Sequence, residues 1–303
     1  MKPRLASILC LLICACLARA DESAARYQAL MNRVAPAIVT VKVVMKTDFG
    51  GQGRETESRV NLQGAVVDKE GLVMISNAAF SPARFMALLG QGEGNAANIK
   101  STPVDFKVVF DREEREYSAF LAATDTKLDI AFIKIEDLGD RKLEIVDFSS
   151  GAVPEIGQEV VTVARMEKGF DYAPFFATAR IGGVIDRPRK AYLLAGSGNF
   201  GLPLFAVSGE VLGVVTTVES GVKSEGISQD VGAMLRFYSG GGGLLRAFIV
   251  PASVINGVIG QAKVRAVAIA QERAKKHVTG TDATKPAAGK AAPDKSKSGS
   301  GKG

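Results

Sequence analysis

Between residues 38 and 218 the chain is a succession of short β-branched and apolar runs broken by turn-forming residues. Ile38-Val39-Thr40-Val41-Lys42-Val43-Val44 has the composition of a strand. Gly64–Val67 and Leu72–Ser76 flank Asp68-Lys69-Glu70-Gly71, a four-residue turn ending in glycine, which predicts a hairpin. Further strands are predicted over Phe106–Phe110, Ser118–Ala123, Ile130–Ile135, Glu159–Ala164, Ala179–Ile185, Tyr192–Leu194, Leu204–Val207 and Val211–Val218. Helical spacing is confined to the two ends. Ala24–Val34 places Tyr27, Leu30, Met31 and Val34 on one face and is stopped by Pro36; Pro251 opens a second pattern with Val254, Ile255, Val258 and Ile259 on one face. Asp48–Arg59 reads as a Gly- and charge-rich loop and Gly240–Gly243 as a flexible break. Many short strands with turn signals predict an all-β barrel or sandwich.

Composition changes that picture at the ends. Lys2 and Arg4 precede an apolar run, Ile8–Leu17, followed by Ala18-Arg19-Ala20, which has the form of an export signal cleaved before Asp21. The run is short for a membrane span. The expected location is therefore periplasmic or secreted. All three cysteines, Cys10, Cys14 and Cys16, fall in this segment, so the processed chain has no thiol for a disulfide or a Cys metal site, and its stability must come from a core. From Glu272 onward, basic residues (Arg273, Lys275, Lys276, Lys285, Lys290, Lys295, Lys297, Lys302) outnumber acids (Glu272, Asp282, Asp294) amid Ala, Gly, Ser, Thr and Pro. Much of the net charge of +6 thus belongs to a low-complexity tail and the leader, not to a basic globular face. No specific nucleic-acid binding is expected; the tail reads as a solvated segment, with a weak contact to an anionic surface as the functional alternative.

One loop carries chemistry. Gly198-Asn199-Phe200-Gly201-Leu202-Pro203-Leu204 resembles the Gly-Asn-Ser-Gly-Gly-Pro-Leu nucleophile loop of the HtrA/Deg branch of trypsin-like serine proteases, with phenylalanine at the serine. Other segments resemble that family in family order. Val34-Ala35-Pro36-Ala37-Ile38-Val39 is similar to its entry segment, and Gly64–Phe80 to the hairpin ending in Thr-Asn-Asn-His-Val. Asp129-Ile130-Ala131-Phe132-Ile133-Lys134-Ile135 is similar to its Asp-Leu-Ala-Val-Leu-Lys-Ile strand, and Phe248-Ile249-Val250-Pro251 to the exit into its last helix. The resemblance implies an all-β fold: a chymotrypsin-like double β-barrel with a short N-terminal helix and a C-terminal helix. The implied organisation is a signal at 1–20, a protease-fold domain at 21–271 (barrel one about 36–145, barrel two about 150–250, helix about 251–276) and a disordered basic tail at 279–303. No PDZ domain follows.

Residue by residue, the resemblance puts Ala79 at the catalytic histidine, Asp129 at the catalytic aspartate and Phe200 at the nucleophile; Gly198, Asn199, Phe200 and Gly201 would outline a residual oxyanion-type loop, with Leu202 in place of a glycine. Composition reaches a related conclusion without the resemblance. The chain has one histidine, His277, at the edge of the tail, which removes the base of a Ser-His-Asp site and argues against a His-rich zinc site. Ser197 has no base beside it in sequence and reads as a turn serine. Phe200 reads as a filler for the volume that an imidazole at Ala79 would occupy. The expected function is that of an inactive protease homologue, without cofactor or metal, that binds a protein or peptide and forms a homo-oligomer. Two alternatives stand beside it: a hydrolase with a relocated or partner-completed site, and polyanion or cell-wall binding through the tail.

Overall fold

The computed structural model describes residues 22–48, 55–80, 100–187, 189–196, 198–217 and 247–281. The leader, the Gly240–Gly243 break, Ser197 and most of the tail lie outside the described residues. Among the described residues, a helix over 22–34 (α1) leads through a 3-10 turn, Ala35–Ala37, into twelve strands. These are β1 (Ile38–Asp48), β2 (Glu55–Asp68), β3 (Leu72–Ser76), β4 (Lys100–Phe110), β5 (Glu116–Asp125), β6 (Ile130–Ile135), β7 (Glu159–Arg165), β8 (Pro174–Ile185), β9 (Ala191–Ala195), β10 (Pro203–Ala206), β11 (Val211–Thr217) and β12 (Ala247–Pro251). A long helix, α2 (Ala252–Thr281), follows directly.

The strands close into two six-stranded antiparallel barrels, β1-β2-β3-β6-β5-β4 and β10-β11-β12-β9-β8-β7. The expected double barrel is therefore the observed one. Alternation explains the first: Val39, Val41, Val43 and Met45 of β1 meet Val66, Val73, Ile75, Phe106, Val108, Phe110, Ala131, Ile133 and Ile135 in one core. Val160, Ile181, Tyr192, Leu204, Leu212, Val215 and Ile249 fill the second. Register shifts at Val66/Asp68, Leu121/Ala123, Ile181/Gly183 and Leu204/Phe205 supply the bends that let such short strands curl shut. The β2–β3 hairpin forms as predicted, with the Gly71 amide donating to the Asp68 carbonyl at 3.0 Å.

Two boundaries differ from the sequence reading. Residues 48 and 55–59, read as loop, belong to strands: β1 and β2 pair from Ile38↔Ala65 out to Asp48↔Glu55, and β4 pairs with β1 as far as Lys100. The polar residues there are exposed, so the strands are held by backbone pairing and lack the apolar alternation that marks a strand in sequence. The terminal helix also runs past its expected end at about 276 to Thr281.

By backbone proximity the chain divides into Met1–Ala266 and Val267–Gly303. The first unit holds both barrels and the start of α2, whose Ala252, Ile255, Ile259, Ala262 and Ala266 are buried at helical spacing. Lys263 pairs with Asp68 at the β2–β3 turn, 2.6 Å. In the second unit the described residues continue the helix, 267–281. At the other end, α1 buries Leu30 and Val34, stacks Tyr27 on Phe176 of β8 (centroids 5.0 Å apart) and donates from Arg33 to the Gly209 carbonyl.

Candidate functional site

The seam between the barrels is where the sequence-selected residues meet. On the barrel-one side, β3 ends at Ser76 and the chain enters a 3-10 turn, Ala78–Phe80. The Asn77 amide donates to the Asp129 carbonyl at 3.0 Å, Ser76 Oγ donates to Asp129 Oδ2 at 3.4 Å, and the Ala78 amide donates to Ser76 Oγ at 3.3 Å. Asp129 is 1 % exposed and left-handed (φ 59°), at the mouth of β6. The turn before it is fixed by Asp125, whose Oδ1 accepts from the Lys127 and Leu128 amides, each at 2.9 Å. An aspartate tolerates the left-handed region better than most residues, which suits the position.

Barrel two reaches this seam twice. Buried Thr216 of β11 donates from Oγ1 to the Leu128 carbonyl at 2.6 Å. Gly201 donates its amide to the Val215 carbonyl at 2.7 Å and lies against the end of β3. A Cβ on Gly201 would fall 2.3 Å from the Ser76 amide nitrogen, and its φ is +80°, so the loop closes here only with glycine. Ser76, Asp129 and the 200–201 loop are thus brought together, with Ala79 one residue beyond the Asn77 and Ala78 contacts.

The loop itself is apolar and tight. Leu202 is fully buried; its amide donates to Asn199 (3.2 Å) and its carbonyl accepts from Val215 (3.0 Å). Gly198 sits where a Cβ would meet Leu194 and Val215 side chains at 2.7 and 2.8 Å. Phe200 is half-buried and packs on the barrel-two core. Phe80, by contrast, packs on the barrel-one core, edge-to-face with Phe106 at 5.9 Å. Each of these two partly buried rings thus packs on its own barrel. The filler reading set the Phe200 ring beside residue 79, whose side chain lies outside what the structure describes.

This arrangement has a carboxylate and a hydroxyl in reach of one another and no imidazole between residues 22 and 266. A serine hydroxyl is far too weak an acid to pass its proton usefully to a bare carboxylate, so Ser76 and Asp129 hold the turn rather than form a nucleophile. Arg189, between barrel-two strands β8 and β9, donates to the Lys127 carbonyl of barrel one. Among the described residues no group of His, Cys, Asp and Glu is placed to hold a metal ion.

Sequence reasoning missed the residue that joins the barrels most extensively. Arg165, the last residue of β7, is 3 % exposed. Its guanidinium donates to the carbonyls of Ile38 (2.7 Å), Ala35 (2.6 Å) and Tyr172 (3.1 Å) and to Asp111 Oδ1 (2.6 Å). Its amide donates to Gln63 Oε1 at 2.9 Å, and Gln63 Nε2 donates back to its carbonyl at 2.7 Å. An arginine closing an otherwise apolar strand, Glu159-Val160-Val161-Thr162-Val163-Ala164-Arg165, was the signal available, and it looks the same as a strand reaching solvent.

A family model for a trypsin-like peptidase domain matches residues 63–214, half of the chain. The match begins in β2 of the first barrel and ends in β11 of the second, so it takes in Asp129 and the 198–204 loop. No curated protein matches the chain.

Proposed function

Because this chain belongs to the family of trypsin-like peptidase domains, we propose that it is an exported pseudoprotease: a protease fold that has lost its acyl-transfer chemistry and binds a protein or peptide at the seam between its barrels. One observation carries the reading. Ser76 brings buried Asp129 to the loop that carries phenylalanine at 200 and glycine at 201, and the single histidine of the chain is His277. Without an imidazole, the Ser-His-Asp route, in which histidine takes the serine proton and returns it to the leaving amine, is closed within one chain. Phe200 has no nucleophilic atom, and Leu202 puts a buried side chain where the family-type loop has glycine.

Binding follows from what remains. The basic residues Lys127, Arg187, Arg189 and Lys190, of which Arg189 reaches the Lys127 carbonyl across the barrels, favour a segment with acidic residues. An extended peptide lying along the barrels, hydrogen-bonded through its main chain, is the mode that such folds support. The resemblance to the HtrA/Deg branch makes unfolded or extended chains the expected ligand class.

The test has two arms. A fluorophosphonate probe labels no serine of the purified protein; labelling at any serine removes the pseudoprotease reading. Binding of fluorescent peptides is then compared between the full chain and a variant ending at residue 278. Seam binding survives the truncation and weakens in Arg187→Glu/Arg189→Glu. If truncation abolishes binding and the double substitution leaves it intact, the basic tail carries the function instead.

A further inference from the structure

The strands that the sequence read as a loop leave one edge open. β3 pairs with β2 over Gly64–Asp68, whereas β2 begins at Glu55. Residues 55–63 are therefore paired with β1 on one side, and among the described residues no strand pairs with their other side. Glu55–Arg59 are all exposed. An open strand edge presents a row of main-chain donors and acceptors that a second strand can satisfy. Charged side chains on such an edge commonly keep other strands away, so the charges decide what, if anything, fits.

Here the charges are self-complementary. In an antiparallel pairing of this edge with itself, centred on Ser58, Ser58 faces Ser58 of the other copy. Glu57 then faces Arg59 and Arg59 faces Glu57, giving two opposite-charge cross-strand pairs on one face. On the other face Thr56 meets Val60, two β-branched residues. Within its own sheet Arg59 stands opposite Val44 of β1, not opposite an acid, so its charge is oriented to no carboxylate directly across the ladder. The pairing needs residues 55–61 only, and stops short of Gln63, whose side chain is engaged with Arg165.

We propose that two copies of this chain dimerise through the outer edge of β2, forming a continuous β4-β1-β2-β2-β1-β4 sheet about a two-fold axis at Ser58. Seven paired residues provide about six to eight main-chain hydrogen bonds. The interface is isologous and closes at two copies. It is small, so the dimer dissociates on dilution into the micromolar range, about 1 to 100 µM.

Sedimentation of the purified chain over about 1 to 200 µM reads the dimer directly. The wild type is expected to shift reversibly from monomer to dimer. Glu57→Arg or Arg59→Glu alone sets like charges face to face and weakens the dimer by about tenfold or more. The double variant Glu57→Arg/Arg59→Glu restores opposite pairing and returns affinity to within about threefold of wild type. Both substituted positions are exposed, so far-UV circular dichroism stays at the wild-type spectrum, while Glu57→Arg, set opposite Lys46 of β1, lowers the thermal midpoint slightly. A monomer throughout, a trimer or larger ring, a dimer indifferent to the single substitutions, or a double variant as weak as the singles would each overturn the proposal.

Discussion

At the scale of single residues, the seam is built by positions that admit one residue type. Gly201 is held at φ +80° with its Cα against the Ser76 backbone. Gly201→Ala would add left-handed strain to a clash with backbone that cannot rotate away, and is expected to lower stability by about 2–4 kcal/mol in urea unfolding. Arg165 is decided by different physics. Its guanidinium is buried, yet it satisfies three carbonyls and a half-exposed carboxylate, so desolvation is offset only by the complete set of partners. Arg165→Met strands those carbonyls and is expected to cost about 3–5 kcal/mol in the same assay. Neither role is visible in sequence. A glycine after Phe200 resembles a family loop on paper, but only the approach of β3 shows why it cannot be replaced.

At the scale of elements, apolar alternation made most of the strands legible. β3 and β6, whose inward residues are Val73, Ile75, Ala131, Ile133 and Ile135, were found at the boundaries the structure has. The outer ends of β1, β2 and β4 were not, since the exposed polar residues there break the apolar alternation while backbone pairing persists. Two surface carboxyls carry a pH dependence. The Lys42 ammonium of β1, hydrogen-bonded to Glu116 of β5, holds that carboxyl below the usual glutamate range. Asp147 is likewise lowered, by the Ser149 hydroxyl and then the Ser149 amide. A carboxyl lowered in the folded state contributes stability at pH above its unfolded value, and that contribution fades as pH falls through the folded one. The thermal midpoint is therefore expected to fall as pH drops below about 4.5, and Glu116→Gln to flatten part of that fall while changing little at pH 7. For α2 the apolar stripe matters more than its ion pair. Ile255 is fully buried, so Ile255→Ala is expected to cost about 2–5 kcal/mol. Lys263→Ala, which breaks the half-exposed pair with Asp68, is expected to cost under about 1 kcal/mol by the same unfolding measurement.

At the scale of the whole molecule, two closed barrels meet at a seam that keeps the layout of a trypsin-like peptidase domain, with Asp129 of one barrel beside the 198–204 loop of the other. The architecture was legible because ordered short motifs map to barrel strands and because a histidine count needs no structure. The way the barrels are joined was not, because Arg165, Gln63 and Thr216 act through contacts between residues far apart in the chain. The central claim is that this seam binds without cleaving. It is tested most directly by incubating the purified protein with unfolded casein and reading the products by mass spectrometry. Asp129→Asn serves as the comparison, since asparagine keeps the size of the side chain and tolerates its left-handed backbone. The account predicts no cleavage by either protein, or the same trace in both. Cleavage by the wild type that disappears in Asp129→Asn would contradict it.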